Sequence, residues 1–340
     1  MSKEDTDRSS LSPAAQMWRL IWPGAMASQA IHVAARLGVV DCLVDGPKTA
    51  EELGLATKAH APSLKRLLRA LVNLDVFTED SLGRFQVTKL GETLRRNHPS
   101  FIRPWVIFLG SSFMWKPWGA LYETVLTGKT AFAEIYQISF FKYLADHPED
   151  AAVFNEAMSA GSSASVSSFL AAYDFSRFER IVDIGGGQGE LLRGILVANP
   201  KAHGVLFDYP SVVAGANGLR TGEVANRCEV VGGDFFTSVP EGGDAYLLKT
   251  VIHDWDDDEA VKILRNCRRA IKPEGRLLLF ETVVSASNRP ESGLMDAMAL
   301  VLGGRERTES EFSAILREAG FSIKQVIPGR SGSIIECQPT

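Results

Sequence analysis

The chain has 340 residues, of which 45% are hydrophobic and 23% charged, with a formal charge of -5. That length suits two domains better than one, the composition excludes a disordered chain, and the mild acidity excludes a global attraction to nucleic acid or to an anionic membrane. Four scattered cysteines, Cys42, Cys228, Cys267 and Cys337, include no C-x-x-C pair; no disulfide framework and no metal site are expected, and a reducing cytoplasm is the expected location.

The polar start, Met1 to Arg8, has no apolar core behind it of the kind a signal peptide requires and reads as a disordered tail. From Ala14 to Leu43 apolar and small residues recur at helical spacing, with Gly38 as a stop, which predicts a buried helix. Arg19, Pro23, His32 and Arg36 interrupt this stretch, so it is too broken to span a bilayer and no membrane partner is expected. Thr49 and Glu52 form a capping box that opens a short helix through Leu55. Pro62 begins a second helix to Leu74, with Leu64, Leu67, Leu68 and Leu71 on one face. Val76 to Thr78 and Phe85 to Thr88, on either side of Gly83, read as a hairpin. Helix, turn, helix and hairpin in that order predict a winged helix. Lys65, Arg66, Arg69 and Arg84 would give it a DNA-binding face, but Asp75, Glu79 and Asp80 are interleaved with them; an interaction module with no nucleic-acid partner is the better expectation.

Phe101 to Tyr143 is rich in aromatics, with Trp105, Phe108, Phe113, Trp115, Trp118 and Tyr122 at irregular spacing. Two readings stay open, an interdomain core and the wall of an apolar ligand pocket. From Arg180 strands alternate with helices: Ile181 to Ile184, Gly204 to Phe207, Cys228 to Val231, Ala245 to Leu248, Arg276 to Phe280, and two late strands at Gly320 to Lys324 and Ser333 to Glu336. Such alternation predicts an α/β domain with a parallel sheet covered on both faces. The domains are therefore drawn as residues 14–100, a helical connector over 101–175 and an α/β domain over 176–340.

The strand ending in Asp183 runs into Gly185, Gly186, Gly187 and Gly189 and then a helix from Glu190 to Val197, a tight turn against which a ligand can lie. A dinucleotide fingerprint would need a glycine where Glu190 stands, and acids at Asp183 and Glu190 would flank its pyrophosphate. S-adenosylmethionine carries no phosphate, and its ammonium suits a carboxylate such as Asp183. Asp208 ends the next strand, where an acid accepts ribose hydroxyls. Asp234 and Phe235 follow the third strand as an adenine acceptor and an apolar cover, Lys249 ends the fourth, and His253-Asp254-Trp255 comes just after it.

These residues, with Asp208-Tyr209-Pro210, Gly233-Asp234-Phe235-Phe236 and Gly303 to Glu309, resemble the plant caffeate-type and bacterial S-adenosylmethionine-dependent O-methyltransferases along nearly the whole chain. The resemblance implies a Rossmann-like seven-stranded methyltransferase domain preceded by a mostly helical winged-helix dimerisation domain, and hence a homodimer. It implies cofactor contacts at Ser162, Gly185, Asp208, Asp234, Phe235 and Lys249, an acceptor contact at Met158, and His253 as a general base held by Glu281 and Glu306; Asp183, Gly187 and Trp255 are further expected cofactor contacts and Met298 a further expected acceptor contact. The alternative for residues 305–309 is a solvated charge cluster formed by Arg305, Arg307 and Glu309. The loop from Val283 to Met295 is shorter than in plant members, which points to a bacterial-type enzyme. A phenol titrates near ~10, so a histidine base adds rate at neutral pH, and the aromatic content suggests a flat phenolic acceptor. Two other readings, a family member repurposed as a hydroxylase or decarboxylase and a ligand-sensing DNA-binding regulator, are disfavoured by His253 and by the interleaved acids.

Overall fold

The computed structural model describes residues 12–284, 290–329 and 332–340, and the chain divides into two compact units, Met1–Trp115 and Lys116–Thr340. The polar tail expected at Met1 to Arg8 lies outside the described residues, as do residues 285–289 of the loop after Val283. Among the described residues no helix is long and apolar enough to cross a membrane.

In the first unit, α1 (Pro13–Leu37) starts at Ser12, whose side chain accepts the Ala15 N–H, and stops at Gly38, where φ is +68°. It is followed by β1 (Lys48–Thr49), α2 (Ala50–Thr57), α3 (Ala61–Val72), β2 (Phe77–Glu79), β3 (Arg84–Val87) and α4 (Ile102–Gly110). The capping box forms as expected: Thr49 Oγ1 accepts the Glu52 N–H and Glu52 accepts the Thr49 N–H. Leu64, Leu68 and Leu71 of α3 pack with Leu53, Phe77 and Phe85 in a core of their own, and the antiparallel order β1-β3-β2 makes the wing. Two of the four basic residues that would face DNA are neutralised inside the unit, Arg69 by Glu79 at 3.0 Å and Arg84 by Asp80 at 2.8 Å. The expectation that α1 is buried holds only for its second half. Trp18, Leu20 and Trp22 are 55–72% exposed, and the two indoles stack at 5.7 Å. Periodicity says which residues gain from cover but not whether the same chain supplies it.

Helix α5 (Ser112–Trp118) straddles the division and leads into α6 (Leu121–Thr127), α7 (Ala131–Tyr136), α8 (Phe140–Asp146) and the long α9 (Pro148–Ala172). The α/β part then runs β4 (Arg180–Ile184), α10 (Glu190–Ala198), β5 (His203–Asp208), α11 (Pro210–Val213), α12 (Asn217–Arg220), β6 (Cys228–Gly232), β7 (Ala245–Lys249), α13 (Asp257–Ala270), β8 (Arg276–Glu281), β9 (Val283–Val284), α14 (Pro290–Leu302), β10 (Arg307–Thr308), α15 (Glu309–Glu318), β11 (Phe321–Ile327) and β12 (Ser333–Pro339). The seven-stranded order is β11-β12-β8-β7-β4-β5-β6. The expected parallel sheet is mixed, because β12 runs antiparallel to both neighbours. The short connection after Ile327 is enough for an antiparallel return but not for a parallel crossover. One face of the sheet packs on α13 and α15, through Ile263, Leu264, Phe312 and Leu316; the other packs on α9 and α10, through Phe169, Leu192 and Ile195.

The strands β4, β5, β7 and β8 are parallel, and β4 lies between β5 and β7. The chain leaves β4 on one side and returns as β7 on the other, so the crevice of this sheet opens at the carboxyl ends of β4 and β7. Those ends carry Asp183 and Lys249.

Candidate active site

Gly185, Gly187 and Gly189 all have positive φ, which lets the chain turn sharply between β4 and α10. A Cβ on Gly185 would lie 2.8 Å from Val251 Cγ2. Its absence allows the segment after β7 to close against the glycine loop. A Cβ on Gly186 would lie 2.5 Å from Asp183 Oδ2, so the carboxylate of Asp183 rises into the loop. Asp183 is 1% exposed, and among the described residues neither of its oxygens has a hydrogen-bond partner. Burial first, then the charge of Asp208, pushes it up to about 7, with Lys249 opposing. Asp208 accepts the Gly187 N–H at 2.9 Å and the Tyr209 N–H at 2.7 Å, so it orders the loop. Burial raises it to about 6 against those two bonds. Lys249 is pushed down by burial, while Glu281 and Asp183 favour its charge.

Asp234 turns its own loop by accepting the Phe236 N–H at 2.9 Å. Phe235 is buried over the glycine loop, with its ring centroid 5.9 Å from that of Trp255. Trp255 stacks on Phe141 at 5.4 Å, and its indole Nε1 is buried with no partner among the described residues. Through Phe141 and Phe154 it joins an aromatic group built around Phe132, Tyr136, Phe140 and Tyr143. Of the aromatics singled out from the sequence, Phe108 and Phe113 are buried and Tyr122 is 71% exposed. Ser162 and Met158 lie half-buried on α9, which packs on α10 next to the glycine loop, with Ser163 Oγ 3.2 Å from Glu190 Oε2. Met298 is half-buried on α14, whose Asp296 accepts the Glu306 N–H at 3.1 Å.

His253 sits in a short 3-10 turn, Ile252–Asp254, directly after β7. Its Nδ1 is 3.2 Å from Glu306 Oε1 and 3.7 Å from Glu281 Oε2, and its Nε2 is 3.4 Å from Asp254 Oδ1. The structure therefore brings together the three residues predicted as a group, from segments about 25 to 50 positions apart. Glu306 is the hydrogen-bonded partner. Glu281 chiefly anchors the turn, accepting the Val251 N–H at 3.1 Å and the Ile252 N–H at 2.9 Å. Burial would push His253 down, but Asp254, Glu281 and Glu306 outweigh it and push it up to about 10. Asp254 is the carboxylate at Nε2, and nothing in its sequence context marks it as such. The charge-cluster alternative holds for Arg305 and fails for Arg307, which is fully buried.

Residues 118–322 match the family described as O-methyltransferase domain, and residues 20–97 match the O-methyltransferase dimerisation domain. A phenazine O-methyltransferase of Lysobacter antibioticus is 42% identical, covering 98% of this chain and 99% of its own length. The 8-amino-8-demethylriboflavin N,N-dimethyltransferase of Streptomyces davaonensis is 36% identical, covering 91% of each chain. A solved O-methyltransferase of neocarzinostatin biosynthesis, in complex with S-adenosylmethionine and 2-hydroxy-5-methyl naphthoic acid, superposes with a TM-score of 0.81 at 35% identity, covering 92% of this chain and 96% of that one. The residues here fit S-adenosylmethionine: a buried carboxylate with no partner among the described residues suits an ammonium, and the acid at the end of β5 and the apolar cover of Phe235 suit a nucleoside. The chain belongs to the S-adenosylmethionine-dependent O-methyltransferases of secondary metabolism, a methyltransferase domain behind that family's dimerisation domain.

Proposed function

We propose that the protein methylates a hydroxyl, phenolic in character, on a flat aromatic small molecule, with His253 as general base. The observation that carries this reading is the histidine's asymmetry: Nδ1 is held at 3.2 Å by Glu306, whereas the carboxylate near Nε2 is Asp254 at 3.4 Å. With Nδ1–H donated to Glu306, Nε2 is the nitrogen that takes the acceptor's proton. When bound, the cofactor supplies an electrophilic methyl on a positively charged sulfonium. Positive charge in the site favours the neutral imidazole that the surrounding carboxylates otherwise keep protonated. Glu281 and Glu306 then stabilise the imidazolium formed as the hydroxyl proton moves.

In the same reading Asp183 takes the ammonium, Asp208 the ribose hydroxyls, and Asp234 with Phe235 the adenine edge and face. Gly185 and Gly187 give the backbone its close approach, while Ser162, Lys249 and Trp255 complete the cofactor contacts. Met158 on α9 and Met298 on α14 line the acceptor side. Residues 101–175 act as a helical connector that contributes to the acceptor pocket, between a dimerisation domain over 14–100 and a catalytic domain over 176–340. The exposed apolar half of α1, which runs into the dimerisation domain matched over residues 20–97, supports a homodimer in which a second copy covers it.

Hydroxyl and amine acceptors are separated by incubating the protein and cofactor with paired phenols and anilines of the same ring systems and reading product masses. The proposal expects methyl gain on the phenols. Methylation confined to the anilines would overturn the hydroxyl assignment.

A further inference from the structure

The turn that carries His253 is held from below by a residue to which the mechanism assigns nothing. Arg307 is 0% exposed although its ion-pair partner Asp257 is half exposed. Its Nη1 donates to the Ile252 carbonyl at 2.9 Å and its Nη2 to the Trp255 carbonyl at 2.8 Å. Nε and Nη2 reach Asp257 Oδ1 at 2.9 and 2.8 Å. Ile252 and Trp255 stand on either side of His253 and Asp254, so one planar guanidinium spans the whole turn. A lysine has no such fork and cannot match this set of bonds.

The backbone of the same segment grips the turn from the other side. The Arg305 N–H donates to the His253 carbonyl at 2.8 Å. Gly304, at φ +94°, passes so close that a Cβ there would lie 2.2 Å from the His253 carbonyl oxygen. Beyond it, Arg307 and Thr308 pair with Val283 and Val284, just after Glu281. Glu306, between the residue that grips the backbone and the residue that spans the turn, reaches His253 Nδ1. Burying a guanidinium is costly, and an apolar side chain would fill the same space at less expense. Its placement is explained if the bonds set a geometry.

We propose that Arg307 is a positioning residue that fixes the His253 turn at the distance and tilt from which Glu306 can hold Nδ1. The proposal rests on the reading of His253 as the base. If the pin is weakened, His253 drifts from Glu306, loses part of the carboxylate field that favours its proton, and its pKa falls. The acid limb of the kcat/KM profile then moves to lower pH while the rate drops.

The test compares wild-type protein, Arg307→Lys, Asp257→Asn and His253→Ala in methyl transfer to one accepted phenol across pH, with cofactor affinity by calorimetry. Arg307→Lys should bind cofactor as the wild type does, turn over on the order of 10²-fold more slowly, and show its acid limb at lower pH. Asp257→Asn, altered at a half-exposed partner, should move the limb the same way by less, and it carries the test if Arg307→Lys does not fold. An unchanged limb, with turnover unaltered or lowered only in proportion to the folded fraction, overturns the inference and leaves the base assignment standing. Retained turnover in His253→Ala overturns the base assignment and this inference with it.

Discussion

The donor half and the acceptor half of the site are built in different ways. On the donor side, ligand groups come from strand ends and backbone turns: Asp183 after β4, Asp208 after β5, Lys249 after β7, and a loop whose amides are ordered by Asp208. On the acceptor side, His253 depends on side chains from three separate segments, with Glu281 at the end of β8, Glu306 before β10 and Arg307 beneath the turn. The first arrangement follows from the sheet itself. The second exists only if distant segments meet correctly, which makes it the part that point substitutions displace most easily.

Four changes sharpen this contrast. Asp183→Asn should weaken cofactor binding on the order of 10²-fold or more by calorimetry, because the buried carboxylate is the proposed partner of the ammonium. The cofactor-free variant should be no less stable above pH 7, since the folded wild type must hold an unpaired buried carboxylate there. On the acceptor side, Glu306→Gln should leave cofactor affinity unchanged and cut turnover by roughly 10- to 100-fold through loss of the imidazole's orientation. A matching loss of affinity would show that the two halves are not separable. Wild-type cofactor affinity should fall as pH drops below about 7, where Asp183 takes up a proton, approaching roughly tenfold per pH unit. A flat affinity between pH 5 and 8 would place the ammonium elsewhere. Trp255→Phe should have the smallest effect, about 1 kcal/mol or less on binding, as it keeps the ring over Phe141 and removes only the buried N–H.

The same contrast governs what the sequence could reveal. Strands β4, β5, β7 and β8 and the glycine loop were legible because local pattern alone makes them: short apolar runs, strand-end acids, and glycines where φ must be positive. The capping box at Thr49 and the stop at Gly38 were legible for the same reason. The two-residue pair of β9 and β10 was not, being too short for any period to appear. Nor was the reversal of β12, which depends on the length of a turn, or the exposure of Trp18 and Trp22, which depends on what covers α1. His253, Glu281 and Glu306 were grouped by resemblance rather than by spacing, and Arg307, in a run of charges that reads as solvated surface, was missed because its burial is tertiary.

The central claim is that His253 acts in proton removal and not in holding the donor. The most direct measurement is single-turnover methyl transfer by His253→Ala at saturating cofactor, with a phenol the wild type accepts. Wild-type cofactor affinity is expected, with a rate lowered by ~10²- to 10⁴-fold. A rate within error of the wild type would contradict it.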